Sequence, residues 1–233
     1  MIGSELLDDP GADPVAVERE LRDIARLNAL FGGTRAVVRE LERFFDTGRR
    51  ESGNGKRETW TLVDVGIGSG DIALAAKAAA QHHRIDLRPV GIELNPTAAM
   101  IAGAAGVPTI VADGSVLPLA PRSVDVIVAS QVLHHLPRAT AIRWIAAFDR
   151  VARRAVVLAD LRRSRVAMAG VWAASVGLGM SPVTRHDAVT SLRRGYTRAE
   201  FDVMLHEAGV SAPAHDRPGF RIVASWSPVG AEG

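Results

Sequence analysis

The stretch VDVGIGSGD at residues 63–71 decides the fold. It ends a run rich in β-branched residues, carries glycine at three alternate positions, and leads into an alanine-rich helical pattern at residues 72–81. This order predicts a strand, a tight loop and a helix. Glycine lets the backbone adopt positive φ and approach a ligand closely, and the helix N-terminus that follows favours anionic groups. We therefore expect a ligand-binding loop at the end of the first strand.

Alternating strand and helix patterns continue after this loop, with helical patterns at residues 97–105, 139–151 and 198–209. Such alternation predicts a parallel sheet with right-handed crossovers. The final two strand patterns are separated only by a short Pro-Gly turn, and so short a connection requires an antiparallel pair. The seven strands are expected at residues 59–65, 88–93, 109–112, 124–129, 155–159, 210–215 and 220–227.

These patterns predict an α/β fold with a doubly wound, Rossmann-like, mostly parallel seven-stranded sheet whose last strand is antiparallel. Residues 1–58 are interpreted as an N-terminal helical extension and linker, because helical periodicity there gives way to a polar, glycine-rich segment. Residues 59–233 are expected to form the main domain. A helical lid insertion is expected at about residues 161–197, including the apolar run at 166–180.

Composition excludes several classes of protein. The chain of 233 residues has no cysteine, which rules out disulfides and thiolate metal sites within it and fits a reducing, cytoplasmic compartment. Its net charge of +2 is too small to argue for nucleic acid. The acidic N-terminus lacks the features of a signal peptide, and the apolar run at 166–180 is shorter than the roughly 20 residues of a spanning helix. We expect no nucleic-acid partner and no stable membrane insertion.

The glycine loop by itself admits two cofactors. Asp64, just ahead of the glycines, suits a cationic ligand such as S-adenosylmethionine (SAM), which carries an ammonium, a carboxylate and a sulfonium. The loop also satisfies the dinucleotide fingerprint, with Glu93 about 20 residues further on, as a nicotinamide cofactor requires. Downstream features favour SAM. Glu93 ends the second strand, where it can bind ribose hydroxyls, and Asp113-Gly114 follows the third strand, where a carboxylate can accept from an adenine amino group.

With these motifs in this order, the sequence resembles the class I SAM-dependent methyltransferases, and particularly the branch of ubiquinone/menaquinone-type enzymes and small-molecule O-methyltransferases. The matching stretches are VDVGIGSGD at 63–71, GIELNP at 91–96, ADGSVLPLAPRSVDVIVASQVLHHL at 112–136 and HDAVTSLRRGYTRAEF at 186–201. The resemblance implies that SAM is the cofactor. The residues that it implies for cofactor binding are Asp64, Gly66, Gly68, Gly70, Glu93, Leu94, Asp113, Gly114, Ser130 and Gln131.

Methyl transfer to a hydroxyl with a high pKa profits from a general base, most often histidine. His186 and His135 are the predicted catalytic residues, with His186 preferred because Asp187 beside it could orient its ring. A loop-anchoring role for His186 is an equally good interpretation, and packing under the cofactor is an alternative for His134 and His135. No metal site is expected. The residues predicted to contact the substrate are His134, Arg185, Arg194, Tyr196 and Trp172.

The predicted function is SAM-dependent methylation, with oxygen as the expected acceptor atom, of a small lipophilic or aromatic metabolite. C-methylation of a quinone precursor, a nicotinamide-dependent oxidoreductase and a non-catalytic SAM-binding protein are the alternatives. The partner expected is a small-molecule acceptor, and the sequence is compatible with a homodimer.

Overall fold

A computed structural model describes residues 5–51, 57–114 and 117–228. The strands are β1 (Glu58–Val65), β2 (Ile85–Glu93), β3 (Thr109–Val111), β4 (Val124–Ser130), β5 (Ala152–Leu161), β6 (His215–Arg217) and β7 (Arg221–Trp226). The helices are α1 (Pro14–Phe31), α2 (Gly33–Glu51), α3 (Asp71–His82), α4 (Pro96–Ala104), α5 (Arg138–Val151), α6 (Arg165–Gly177), α7 (Pro182–Arg194) and α8 (Arg198–Glu207). Short 3-10 helices form at Leu6–Asp8 and Leu133–His135.

The strands form one seven-stranded sheet in the order β3-β2-β1-β4-β5-β7-β6. Strand β7 runs antiparallel to both β5 and β6, and the other pairs are parallel. The predicted fold class is thereby confirmed. The chain winds outward from β1 to β3 and then returns to β4 on the other side of β1, so that the strand order reverses between β1 and β4. Ligands of such sheets bind in the crevice at the carboxyl ends of these strands.

Several strand boundaries differ from the prediction, and β5 begins earlier than expected, at Ala152. The strand expected at 210–215 begins only at His215, because Pro213 has no backbone N–H for a sheet ladder, although Val210 and Ala214 do pack into the core. Strand β2 begins earlier than expected, at Ile85, where it pairs with Glu58 at the start of β1.

The core lies in two layers, one on each face of the sheet. Strand β4 shows why both layers are apolar, because Ile127 faces one side while Val126 and Val128 face the other. On the first side Ile127 joins the buried Phe148 of α5 and Phe201 of α8. Both faces of this central parallel strand are therefore covered, as its continuous apolar sequence predicts.

The N-terminal helices belong to the same packing. Leu41 and Phe45 of α2 are fully buried against Trp60 of β1, and the Phe45 and Trp60 rings meet edge to face with centroids 5.7 Å apart. Helix α1 packs Val17 and Leu21 against α4. These contacts bring α1 over the carboxyl edge of the sheet. The division of the chain at residues 58 and 59 stays a prediction.

The helices of the expected lid follow β5 as α6 and α7 and pack against each other. Within the described ranges, no helix is both long enough and apolar enough to cross a membrane.

Phe148 should carry a large share of stability, because its side chain is fully buried and packs edge to face on Trp144. Replacing Phe148 with alanine should lower the free energy of unfolding by about 3–5 kcal/mol, through lost burial and the cavity that remains. Chemical denaturation measures the change. Val203→Ala on the exposed face of α8 is the control and should cost less than about 0.5 kcal/mol. Equal losses for the two variants would contradict this account of the core.

Candidate functional site

A cavity of about 440 Å³ lies at the carboxyl edge of the sheet, where the strand order reverses. Its floor is the loop after β1 together with the residues that follow β2, β3 and β4. Helices α1, α6 and α7 and the N-terminal 3-10 helix Leu6–Asp8 complete its walls. This volume is within the usual range of sites for small molecules and cofactors.

The glycine loop forms one wall of this cavity. Gly66 has a φ of 74°, and a Cβ added there would lie 2.9 Å from the Val132 side chain. Only glycine fits this backbone and this contact. Gly66 and Gly68 both line the cavity. Gly70 lies one step further on as the N-cap residue of α3 and does not reach the cavity.

Glu93 and Leu94 lie beside this loop at the end of β2 and line the cavity. The Glu93 carboxylate accepts hydrogen bonds from the backbone N–H groups of Gly68, at 2.9 Å, and Asn95, at 3.1 Å. These bonds fix the position of Glu93, and a carboxylate has about four lone-pair sites. The remaining sites are free to accept from the two hydroxyls of a ribose.

Asp113 and Gly114 lie after β3 and also line the cavity. A Cβ at Gly114 would lie 2.6 Å from the Trp144 ring and 2.9 Å from the Val65 side chain. The Gly114 backbone therefore packs directly on these two residues, and Asp113 is placed at the exposed rim.

Asp64 lies under the loop, almost fully buried in β1, and does not line the cavity itself. Burial, together with the charges of Asp71 and Glu93, raises the pKa of Asp64 to about 8. Both of these neighbouring carboxylates line the cavity. A cation bound there would offset the repulsion among the three groups.

Ser130 and Gln131 follow β4 and line the cavity. The Gln131 side-chain amide donates to Asn28 Oδ1 of α1 at 2.8 Å. Asn28 Oδ1 also accepts from Nη2 of Arg221, the first residue of β7, at 3.0 Å. This chain of three polar side chains links α1 to β4 and β7 at the cavity wall.

His134 and Asp160 form a buried pair at the same edge. His134 Nδ1 lies 2.6 Å from Asp160 Oδ1, and Asp160 also accepts from the backbone N–H groups of His134 and Leu161. Burial raises the pKa of the Asp160 carboxyl, but the charge and the hydrogen bond of His134 outweigh it and hold that pKa below its usual value. The carboxylate fixes Nδ1 as the protonated ring nitrogen, which leaves Nε2 as an acceptor.

His134 Nε2 has no hydrogen-bond partner within the described residues, although it is buried. His134 is among the residues that line the cavity, so this buried nitrogen lies next to that space. An oriented imidazole with a free Nε2 is the arrangement that a general base requires.

His135 has a different role, because it binds the N-terminal segment. Its Nδ1 lies 2.6 Å from Asp8 Oδ1, and its Nε2 lies 3.8 Å from Glu5 Oε2. Arg194 of α7 donates to both of these carboxylates, at 3.1 and 3.0 Å. The cluster holds Leu6–Asp8 against the cavity, which Asp8 also lines.

Three predicted site residues lie elsewhere. His186 is exposed on α7 and does not line the cavity. The reason is helical phase, since the neighbouring Asp187 points inward and accepts from the Leu6 N–H at 2.8 Å. Arg185 is outside the cavity for the same reason. Trp172 is 55% exposed on the outer face of α6.

Tyr196 and Arg194 lie beside the main cavity, in a neighbouring depression that both line. The Tyr196 hydroxyl donates to the carbonyl oxygen of Leu133 at 2.8 Å, and burial raises the pKa of this phenol above its usual value. Tyr196 thus supports the loop that carries His134.

One group of side chains has the composition of a metal site, although no metal is expected from the sequence. Potential ligand atoms of Glu5, His134 and His135 lie within 4.8 Å of one another. Arg194 donates to Glu5, so this carboxylate already has a cationic partner. That pairing argues against a second cation at the same place.

Several polar residues that line the cavity were not predicted from the sequence, among them Asn28, Glu20 and Arg221. Burial raises the pKa of Glu20 to about 7; its hydrogen bond from Thr184 lowers the pKa, and nearby carboxylates raise it. A charged residue opening the apolar run of β7 is a signal that could have identified Arg221. In the sequence, Asn28 and Glu20 are recognisable only as polar residues on the inner face of a predicted helix.

The contact between His135 and the N-terminal segment should weaken as pH rises. Burial lowers the pKa of His135, but the hydrogen bond that its ring donates to Asp8 and the charges of Glu5, Asp8 and Asp160 raise it above its usual value. A raised histidine pKa means that protonation favours the docked segment. The stabilisation of the docked segment by protonated His135 is complete below pH about 6.5, the ordinary pKa of histidine. It is lost as the pH rises through the raised pKa of His135.

Hydrogen exchange with mass spectrometry, corrected for intrinsic rates, should show protected amides in residues 5–9 at pH 6 and weaker protection at pH 9. Some protection should remain, because Arg194 stays charged and keeps its bonds to Glu5 and Asp8. His135→Gln should remove the pH dependence. Protection that does not change with pH in the wild type would contradict the role given to His135.

Comparisons with known proteins agree with this geometry. Residues 63–159 match the family described as "Methyltransferase domain". Two curated proteins, both named "Uncharacterized methyltransferase", are 39% identical to this chain over 114 residues. They come from Mycobacterium avium and Mycolicibacterium paratuberculosis. The match covers 47% of this chain and 40% of the relatives' length, so the chain spans well under two thirds of the proteins that it matches.

Solved structures share the fold over a longer range. A SAM-dependent methyltransferase from Aquifex aeolicus is 16% identical with a TM-score of 0.55, over 88% of this chain and 98% of that one. The plantazolicin methyltransferase BamL is 12% identical with a TM-score of 0.57, over 84% of this chain and 71% of that one. Residues 63–159 therefore carry the sequence pattern of a methyltransferase domain, on a fold shared with SAM-dependent methyltransferases.

Proposed function

We propose that this chain is a SAM-dependent methyltransferase that transfers the methyl group to an oxygen atom of a small apolar or aromatic acceptor. The observation that carries the proposal is that one cavity holds both a glycine loop of methyltransferase type and the free Nε2 of a buried histidine. The first can hold the methyl donor and the second can take a proton from the acceptor.

The donor groups on the cavity wall fit SAM part by part. In this proposal Gly66 and Gly68 pass close to the methionine portion, while Glu93 accepts from the ribose hydroxyls. Asp113 at the rim accepts from the adenine amino group. The buried carboxylate of Asp64 favours a cationic ligand without touching it. When bound, SAM supplies a methyl group on a positively charged sulfur, and the transfer is an in-line displacement.

The residues of this chain align the acceptor and handle its proton. His134 Nε2 accepts the proton of the acceptor hydroxyl as the oxygen bonds to the methyl carbon. The Asp160 carboxylate keeps the ring in the required tautomer and stabilises the imidazolium that forms. A positioned base of this kind contributes typically 10²–10⁴-fold to the rate.

The acceptor side of the cavity is apolar. Its walls include Phe31 of α1, Leu161 at the end of β5, Val171 of α6 and Phe220 before β7. These surfaces suit a lipophilic or aromatic molecule better than a sugar or a peptide. Leu7 and Asp8 of the N-terminal 3-10 helix line the same cavity.

C-methylation is a second candidate for the same site. His134 can equally remove the proton of a phenol whose ring carbon then takes the methyl group. The observation that favours it is the same free Nε2, so that only the product distinguishes the two reactions.

SAM affinity should depend on pH through Asp64. Its pKa of about 8 means that Asp64 is largely protonated at neutral pH without ligand. A bound cation favours the ionised form, so binding releases a proton and affinity rises with pH. Between pH 6 and 7.5 the affinity of the wild type should rise by about tenfold, measured by isothermal titration calorimetry.

Asp64→Asn is the matched variant and should bind SAM with little dependence on pH in this range. NAD and NADP, titrated in parallel, should give no heat of binding. Binding of a nicotinamide cofactor in preference to SAM would refute the proposed function. An unchanged pH dependence in Asp64→Asn would refute the role of Asp64 alone.

His134→Gln should lower kcat by about 10²–10⁴-fold and leave SAM affinity within about twofold, because the base acts only in the transfer step. The assay uses the phenol that the wild type methylates fastest in a panel. Asp160→Asn should have a smaller effect in the same direction. NMR of the product separates O-methylation from C-methylation.

His186→Gln is the control, since His186 lies outside the cavity, and its rate should equal that of the wild type. Addition of a chelator should also leave the rate unchanged. A full rate in His134→Gln would exclude His134 as the base, and a loss of rate with chelator would point instead to a metal at Glu5, His134 and His135.

A further inference from the structure

We propose that Arg221 is a carboxylate receptor inside the cavity, where its guanidinium binds the carboxylate group of a bound small molecule. This inference rests on the proposed function, because it concerns the same cavity. It goes further in naming a charged group that the ligand must carry. Among the polar residues of the cavity, Arg221 is the one whose bonding capacity is left mostly unused.

Arg221 is almost fully buried and yet poorly paired. Its Nη2 donates to Asn28 Oδ1 at 3.0 Å. Its Nε and Nη1 have no hydrogen-bond partner in the part of the chain that the structure describes. A buried guanidinium without partners costs several kcal/mol in general, which is why unpaired buried donors are rare in native proteins. Nε and Nη1 each share an edge of the planar group with Nη2, so a carboxylate could bond to one of them together with the second N–H of Nη2.

The charge of Arg221 is retained despite its burial. Burial lowers its pKa to about 10, while the charges of Asp160 and Asp71 raise it. Neither carboxylate forms a direct ion pair with it, since Asp160 bonds to His134 and Asp71 accepts from Thr34. Arg221 is therefore cationic at neutral pH and faces the cavity without a bonded anion.

The position of Arg221 places it at the acceptor side of the cavity. It opens β7 and pairs with Leu161, the last residue of β5. The apolar residues Phe31 and Phe220 line the cavity together with it. An acceptor with an apolar body and one carboxylate would place the body on these residues and the charge on Arg221. The carboxylate that binds Arg221 could instead be that of the methionine portion of SAM. Asp71, near the glycine loop, is close enough for its charge to raise the pKa of Arg221.

The experiment compares wild type with Arg221→Met and Arg221→Lys by calorimetry, using two pairs of probes. The first pair is S-adenosylhomocysteine and 5′-methylthioadenosine, which lacks the amino-acid portion. The second pair is 2-naphthoate and 2-naphthamide, added to protein saturated with S-adenosylhomocysteine. Arg162→Met is the matched control, since Arg162 is a neighbouring arginine paired with Asp216 outside the cavity.

In at least one of the two probe pairs, we expect the wild type to bind the compound with the carboxylate at least about tenfold more tightly than the compound without it. This preference should disappear in Arg221→Met, shrink in Arg221→Lys and persist in Arg162→Met. Loss of the naphthoate preference assigns the acceptor as the source. Loss of the preference for S-adenosylhomocysteine assigns the cofactor carboxylate.

The thermal midpoint gives a second readout. Without ligand, Arg221→Met should be at least as stable as the wild type, because an unpaired buried charge has been replaced by an apolar side chain. A lower midpoint with both carboxylate preferences intact in Arg221→Met would overturn the proposal and leave Arg221 as a structural support for Asn28. Absence of any carboxylate preference in the wild type would overturn it as well.

Failure of the proposed function would look different. A wild type that binds neither S-adenosylhomocysteine nor SAM would refute the methyltransferase assignment. The comparison of naphthoate with naphthamide on the ligand-free protein would still report on Arg221.

Discussion

The buried carboxylate of Asp160 determines much of this site. It lies at the carboxyl end of β5, where it accepts two backbone N–H groups and the Nδ1 proton of His134. A fully buried carboxylate is stable only when its oxygens are bonded in this way. The bonds fix the loop after β4 to the end of β5, and the same loop carries His135, which binds the N-terminal segment. The orientation of the His134 ring, the shape of the cavity edge and the position of the N-terminal segment thus depend on one charged group.

The cavity is unusual in how its buried charges are distributed. Asp64 and Glu20 have pKa values raised to about 8 and about 7, and Arg221 has a pKa lowered to about 10. Each of these shifts means that the group lacks a sufficient partner of opposite charge in the ligand-free protein. A ligand with separated positive and negative groups would supply both kinds of partner. SAM, which carries an ammonium, a sulfonium and a carboxylate, has this property.

Local sequence patterns predicted the fold well, because the parallel strands are apolar on both faces and the glycine loop has a specific backbone requirement. The same argument located Glu93, Asp113 and Gln131, since residues that follow parallel strands must meet at one edge of the sheet. It failed for His186 and Trp172, where the question was which face of a lid helix points inward. Helix phase against distant elements depends on tertiary packing, and a bond such as that between Asp187 and Leu6 is not visible in a local pattern. Arg221 was not predicted for a related reason. It stands out because two of its nitrogen atoms have no hydrogen-bond partner among the described residues, and this is visible only in the folded structure.

The contacts of the N-terminal segment depend on the charge of the histidines beside the cavity. The carboxylates of Glu5 and Asp8 each form ion pairs with both His135 and Arg194. The negative charge of Glu5 also contributes to the raised pKa of Glu20. A proton taken up by His134 during methyl transfer would add positive charge next to His135, whose own protonation holds the segment in place. Two adjacent imidazolium rings with centroids 4.2 Å apart repel each other. In the proposed reaction, a proton held by His134 would therefore weaken the contact between His135 and Asp8 until it leaves the site.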